Sequence, residues 1–138
     1  MSWPRTVALA ALAGCYDPIY GVPADTSGTS VPAVDDPTWT EHVGPTFAKG
    51  CGEGCHGGAT PAAGLTIAYE GLVDVPAGQL PAMPLVTPGD PTQSYLWHKL
   101  EGTHEEVGGS GSRMPLGLPP GEAELDLIAT WITNDAPE

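Results

Sequence analysis

The chain has 138 residues, with 19 glycines, 16 prolines and few aromatic side chains. This length leaves room for one domain of about 100–150 residues, and the frequent glycine and proline predict short helices joined by ordered loops. The formal net charge is −13, because 17 Asp and Glu face only four Lys and Arg. Since nucleic-acid binding needs clustered basic side chains, we exclude nucleic acid as a partner.

The N-terminus has the pattern of an export signal. One arginine precedes an apolar run over 7–13, which is much shorter than the about 20 residues of a membrane-spanning helix. The run ends in Leu-Ala-Gly-Cys at 12–15, which resembles the lipobox of bacterial lipoproteins. The resemblance implies that residues 1–14 are a cleaved signal peptide and that Cys15 becomes lipidated. Lipidation would also block the thiol of the third cysteine, which would otherwise be unpaired in an oxidising compartment. An ordinary signal peptide with an incidental cysteine is the alternative.

A tether is predicted after the lipidated cysteine. Residues 15–35 contain three prolines and a Thr-Ser-Gly-Thr-Ser run, with no helical periodicity. This composition cannot bury a core, so it predicts a flexible linker. We therefore predict one folded domain over 36–138.

The folded part is predicted to begin with a helix. Asp36 offers an N-cap, and Pro37 suits the first helical position. Four side chains then recur at four-residue intervals, which places them on one helical face: Trp39, Val43, Phe47 and Cys51. Pro45 predicts a kink within this helix.

The helix leads into a cysteine motif, Cys51-Gly52-Glu53-Gly54-Cys55-His56. Two cysteines followed directly by a histidine are typical of covalent haem attachment, in which the thiols add to the two haem vinyl groups and the imidazole binds the iron. The usual motif has two residues between the cysteines, and this chain has three. The two glycines allow backbone dihedrals that are closed to other residues, so we expect them to absorb the extra residue as a bulge.

Three alternatives without haem stay open at this motif. Cys51 and Cys55 would form a local disulfide after export, or they would stay as an inert thiol pair. A metal site is the third alternative, although two cysteines and His56 fall one ligand short of a closed structural zinc site.

Two further helices are predicted downstream. Asp90 caps one over about 91–100, and Gly102 lies just beyond its end. The stretch between the motif and this helix is predicted as loop, with one short helix around 67–73. The last helix is predicted over 122–133, where apolar residues form a stripe. The stripe consists of Leu125, Ile128 and Ile132, widened by Leu127 and Trp131.

Together these features resemble a class I monohaem cytochrome c domain, as carried by exported bacterial lipoproteins. The resemblance covers roughly residues 36–135, and the cysteine motif is its most specific part. It implies an all-α fold of short helices and ordered loops around one haem, with the first and last helices crossing and Phe47 near Leu127 or Trp131. Further runs that match are Pro88-Gly89-Asp90-Pro91, Gly102-Thr103-His104, Arg113-Met114-Pro115 and Trp131-Ile132.

The resemblance also implies a role for each site residue. Cys51 and Cys55 carry the thioether bonds, His56 is the proximal iron ligand and Met114 is the distal iron ligand. The spacing favours the same methionine, because Met114 comes 58 residues after His56, enough chain to wrap round a haem. Met83, which comes only 27 residues after His56, is the main alternative.

The other histidines are expected to have structural roles. His42 is expected to cap or pack on the first helix, while His98 and His104 are expected to be structural or solvent-facing. The last two are the candidates for a second histidine ligand if no methionine binds the iron.

The sequence therefore predicts an electron carrier rather than an enzyme, with one covalent c-type haem and a lipid anchor in the membrane. It would be exported to the cell envelope, at the periplasmic face or the outer membrane, and would exchange single electrons with redox partner proteins. Two alternatives stay open. One is a haem-based sensor or peroxidase-like domain with an open sixth position, and the other is a haem-free lipoprotein interaction module.

Overall fold

The computed structural model describes residues 34–138. The predicted signal peptide, Cys15 and the predicted linker as far as residue 33 lie outside the described residues. Within 34–138, no helix is both long enough and apolar enough to cross a membrane.

The described chain begins with three consecutive helical pieces, which we call together the N-terminal helical segment. Trp39–Val43 and Ala48–His56 have the wide i→i+5 pairing of a π-helix, and α1, Gly44–Phe47, lies between them. Pro45 stands in the first turn of α1, where the pairing changes from π-type to α-type. The predicted cap was wrong: Thr38, not Asp36, caps the segment, and its Oγ1 accepts a hydrogen bond from the Glu41 N–H at 3.3 Å.

The start of this segment is shifted by a contact with the other end of the chain. The Trp39 N–H donates to the carbonyl oxygen of Pro137 at 2.9 Å, and Pro37 is fully buried. Because these long-range contacts fix residues 37–39, the helix begins at Trp39, and the local cap signal at Asp36 is not used.

Short elements follow the N-terminal helical segment: a 3₁₀ turn at Ala62–Gly64, α2 at Tyr69–Leu72, β1 at Pro76–Ala77 and β2 at Leu80–Pro84. The helix α2 lies inside the short helix predicted around 67–73. The strands β1 and β2 form an antiparallel hairpin that the predicted all-α class did not include. Strands of two and five residues with three prolines carry no alternating apolar pattern, so they could not be predicted from the sequence.

Asp90 is the cap that the sequence predicts, since its Oδ1 accepts hydrogen bonds from two backbone N–H groups, at 2.9 and 3.3 Å. The helix predicted over about 91–100 is divided into a 3₁₀ turn, Pro91–Gln93, and α3, Tyr95–Glu101. Ser94 separates them in an extended conformation. Its hydroxyl is fully buried and donates to the Asp90 carbonyl at 2.8 Å, which stabilises the break.

The ends of the last two helices agree with the sequence. α3 ends at Gly102, whose φ of 86° suits a residue without a Cβ. α4 spans Glu122–Thr133, as predicted. Its first turn is capped by Glu124, whose Oε2 accepts a hydrogen bond from the Gly121 N–H at 3.0 Å.

The core forms where the N-terminal helical segment packs on α4. The ring of Trp39 lies 5.9 Å from that of Phe47 and 5.7 Å from that of Trp131, measured between centroids. Trp131 is fully buried, and its indole N–H donates to the Pro137 carbonyl at 2.8 Å. Cys51 is half-buried against this core, so the cysteine motif extends directly from the core.

Candidate functional site

A cavity of about 570 Å³ lies beside the cysteine motif, and its volume falls in the range of roughly 300–1,000 Å³ that is typical of cofactor sites. Cys51 and His56 line it from the motif, and Met114 lines it from a loop far along the chain. Most of the other walls are apolar, and they include Phe47, Leu65, Ile67, Val75, Leu85 and Leu96. The fold therefore brings a thiol, an imidazole and a thioether to one apolar cavity.

The cysteine motif lies in the π-type piece Ala48–His56. A π-helix needs roughly four to five residues for one turn, so cysteines four positions apart lie about one turn apart. Cysteines three positions apart have a similar relation in an α-helix, which has about 3.6 residues per turn. The extra residue is thus accommodated by widening the helix, and Gly54 adopts a φ of 83° within it.

His56 has one ring nitrogen engaged and one available. Its Nδ1 lies 3.1 Å from the carbonyl oxygen of Ala62, in the 3₁₀ turn that follows the motif. Because a carbonyl oxygen only accepts, Nδ1 must carry the proton, and Nε2 of the neutral ring keeps its lone pair. Metal-binding histidines are commonly oriented by this kind of bond from the other ring nitrogen.

The two cysteines differ in their surroundings. Both are free thiols, but Cys51 is half-buried and lines the cavity, whereas Cys55 is exposed and is not part of its lining. Burial raises the pKa of the Cys51 thiol to about 11, with smaller contributions from Glu124 and Cys55. Cys51 is therefore protonated at neutral pH. Among residues 34–138, no group of three or more His, Cys, Asp and Glu side chains is arranged to hold a metal ion.

Met114 is held against the end of α3 by one backbone hydrogen bond and one side-chain hydrogen bond. Its N–H donates to the carbonyl oxygen of Lys99 at 2.9 Å, and the neighbouring Arg113 Nε donates to that of Leu100 at 2.8 Å. Met83, the alternative thioether, lies in β2, packs against the core and does not line the cavity. Of these two methionines, only Met114 reaches the cavity that His56 lines.

The glycine-rich stretch 108–111 is closely packed on α3. A Cβ on Gly109 would lie 2.5 Å from Cε2 of Tyr95 and 2.7 Å from the His104 carbonyl oxygen, so no larger residue fits there without a shift. The Ser110 N–H donates to the Tyr95 hydroxyl at 3.3 Å. This loop therefore makes the close approach that its glycines allow, and it leads directly to Met114.

The other three histidines have protein partners, and none of them lines the cavity. The His42 Nδ1 accepts from the Thr38 N–H at 3.2 Å. Both ring nitrogens of His98 are engaged, by the Thr103 hydroxyl at 2.8 Å and the Thr92 carbonyl at 2.9 Å. His104 is buried rather than solvent-facing, and its Nε2 donates to the Gly111 carbonyl at 2.7 Å. These contacts fit structural roles.

The sequence reasoning missed one charged residue of the cavity, Lys99. It lies on the buried face of α3 together with Tyr95, Leu96 and Leu100, and it lines the cavity. Burial lowers the pKa of its ammonium group, and the negative charge of Glu105 partly offsets this effect. The available signal was a lysine placed at helical spacing among apolar residues, a position where a solvated charge is not expected.

Three of the predicted site residues thus share one cavity, namely Cys51, His56 and Met114, while Cys55 and Met83 are not part of its lining. Cys15 lies outside the described residues. No protein-family model, no curated protein and no solved structure matches the chain.

Proposed function

We propose that this protein is a single-electron carrier that binds one haem covalently through Cys51 and Cys55. The observation that carries the proposal is that Cys51, His56 and Met114 line one and the same apolar cavity. A flat apolar cofactor with an iron at its centre needs apolar walls, an attachment point and axial ligands, and these residues have the matching chemistry.

In this proposal His56 would hold the iron through Nε2. The bond between Nδ1 and the Ala62 carbonyl fixes the tautomer and the direction of the ring. Met114 would supply the second ligand, and the bond from its N–H to the Lys99 carbonyl limits where its side chain can lie. A methionine ligand raises the reduction potential relative to a second histidine.

When bound, the haem supplies a one-electron ferric–ferrous couple. The chain contributes the apolar walls, which limit the access of water, and the two axial ligands. Cys51 attaches one edge of the haem from inside the cavity. Cys55, one π-type turn later and exposed, would attach the adjacent edge at the solvent boundary, where electrons would pass to and from partner proteins.

We propose the cytochrome c-like class for the domain over 36–138, with the hairpin β1–β2 as an addition to its helices. We also propose that the protein is exported to the cell envelope, and that lipidation of Cys15 ties the domain to a membrane. The backbone hydrogen bond between Met114 and Lys99 keeps the thioether residue at the cavity. This favours an electron carrier over a sensor or peroxidase-like domain, which would need an open sixth position on the iron.

The test is the mass of the mature protein made in cells that attach c-type haem. Denaturing mass spectrometry should give the polypeptide plus one haem, and each of Cys51→Ser and Cys55→Ser should leave one thioether bond or no stable haem. Met83→Leu is the matched control, because it removes a thioether outside the cavity and should leave the attached haem unchanged. A parent protein with the mass of the bare polypeptide would overturn the proposal.

A further inference from the structure

Lys99 places a positive charge in the lining of the cavity. Its side chain is only 7% exposed, and its Nζ donates to the Ser110 carbonyl oxygen at 2.9 Å and lies 5.8 Å from the centroid of the Tyr95 ring. The carboxylate of Glu105 acts on this ammonium electrostatically, and the Ser110 carbonyl is the hydrogen-bond acceptor that the described part of the chain gives it. An ammonium group has three donors, so one carbonyl leaves two of them unused. Burying a charge in this way is costly unless a further partner is supplied.

A second donor stands beside this ammonium. Gln79 also lines the cavity, and its Oε1 accepts a hydrogen bond from the Tyr95 hydroxyl at 3.0 Å. This bond assigns the oxygen of the amide, so Nε2 is its donor side. Gln79 Nε2 and Lys99 Nζ lie 3.0 and 3.6 Å from the point where a Cβ on Gly111 would stand. Gly111, at a φ of 78°, is therefore the position at which an amide donor and a cation approach each other, at the edge of the cavity that both side chains line.

We propose that Lys99 and Gln79 bind a propionate carboxylate of the haem at the edge of the cavity that these two side chains line. The inference rests on the proposed function and extends it, because it assigns an orientation to the cofactor. The propionates are the anionic groups of a haem, and a carboxylate accepts hydrogen bonds from both an ammonium and an amide. The chain has a net charge of −13 and only four basic residues, so a buried lysine in the cavity is not explained by a general abundance of basic side chains.

The same lysine would connect the cofactor to its distal ligand. Its Nζ donates to the Ser110 carbonyl, and its own backbone carbonyl accepts from the Met114 N–H. A propionate bound to Nζ would therefore be connected through Lys99 to the loop that carries the Met114 thioether. The positive charge would also favour the ferrous state, and thus raise the midpoint potential.

The experiment compares the haem-loaded parent with three variants. Lys99→Met removes the charge and the donors at similar size, and Lys99→Gln removes the charge but keeps a donor for the Ser110 carbonyl. Lys49→Met is the matched control, because it removes the charge of an exposed lysine. Three properties are measured in each protein: the midpoint potential, the propionate bending band in the resonance Raman spectrum, and the sulfur-to-iron charge-transfer band.

Both Lys99 variants should have lower potentials than the parent. At the parent's midpoint their ratio of oxidised to reduced protein should rise about tenfold, as expected for one charge roughly 10 Å from the iron at an effective dielectric constant of about 20. The propionate band should shift in both, the sulfur-to-iron band should persist, and Lys49→Met should match the parent.

Several results would overturn the inference while the proposed function stands. The first is a midpoint potential and a propionate band in Lys99→Met that match those of Lys49→Met. The second is a midpoint potential in Lys99→Gln that equals that of the parent. The third is loss of the sulfur-to-iron band in both Lys99 variants, which would show that the role of Lys99 is to position the loop that carries Met114. A midpoint potential of the parent that changes with added acetate at constant ionic strength would show that Lys99 and Gln79 bind a free anion instead of a propionate. A parent protein without haem would overturn the proposed function and this inference together.

Discussion

The two sides of the cavity are built in different ways. On the motif side, Cys51, His56 and the Ala62 carbonyl all come from one short stretch of chain, and the His56 ring is oriented by a residue six positions away. On the loop side, Met114 reaches the cavity through contacts with α3, a helix that ends 13 residues earlier. The motif side is therefore a local structure, whereas the loop side depends on tertiary packing.

This difference predicts how each side responds to change. On the motif side Gly50 has open space around it, so an added methyl group there meets no other atom. On the loop side Gly109 touches α3, so an added methyl group there must displace its neighbours. The same substitution should therefore be more damaging at Gly109 than at Gly50.

The largest effect is expected for Gly109→Ala on the loop side. The added methyl would stand 2.5 Å from the Tyr95 ring, and this overpacking should lower the free energy of unfolding by about 1–3 kcal/mol. Urea unfolding measures the loss. The matched change on the motif side is Gly50→Ala, where nothing lies within 4 Å of the new Cβ and a helical alanine should be neutral or stabilising by up to about 1 kcal/mol. If both variants lost the same free energy of unfolding, the proposed difference between the loop side and the motif side would be wrong.

A smaller effect is expected within the motif side, where the two cysteines should differ in reactivity. Because burial raises the pKa of Cys51 to about 11 from 9.0, its thiolate fraction at pH 8 should be about a hundredfold below that of an ordinary cysteine. The greater nucleophilicity of a more basic thiolate offsets part of this difference. In the haem-free chain, alkylation of Cys51 by iodoacetamide should therefore be about tenfold slower when folded than in urea.

The pH dependence of that reaction has a definite sign. Deprotonation is required, so the rate at folded Cys51 should rise with pH through pH 9 and level off only near pH 11. Peptide mapping of the alkylated chain separates Cys51 from Cys55, which is exposed and serves as the internal reference. A Cys51 rate that levels off near pH 9 would show that burial does not affect this thiol.

The local signals in the sequence predicted the structure best. α4 spans the predicted residues, the Asp90 cap is present, and Gly102 ends α3, because each of these features is set by residues within one or two turns. The break at Ser94 was not predicted, since it depends on the burial of one hydroxyl. The cap at Thr38 was not predicted either, since contacts with the chain end fix the start of that helix.

The candidate site shows the same difference between features that adjacent residues determine and features that depend on the folded structure. The cysteine motif and His56 could be identified from adjacent residues alone, and the choice of Met114 over Met83 rested on spacing. The π-type winding of the motif and the cation at Lys99 were not predicted in this way, because they depend on helix pairing and on which face of α3 is buried. A lysine at helical spacing among Tyr95, Leu96 and Leu100 was the one signal that the sequence did offer for the second.

The central claim is our proposal that His56 and Met114 would bind one haem iron in the cavity that both residues line. The most direct test is the absorption spectrum of the oxidised protein in Met114→Ala, with Met83→Ala as the matched control. The account predicts a sulfur-to-iron charge-transfer band in the parent and in Met83→Ala. It predicts loss of that band, together with a lower midpoint potential, in Met114→Ala. A band that persists in Met114→Ala and disappears in Met83→Ala would contradict the assignment.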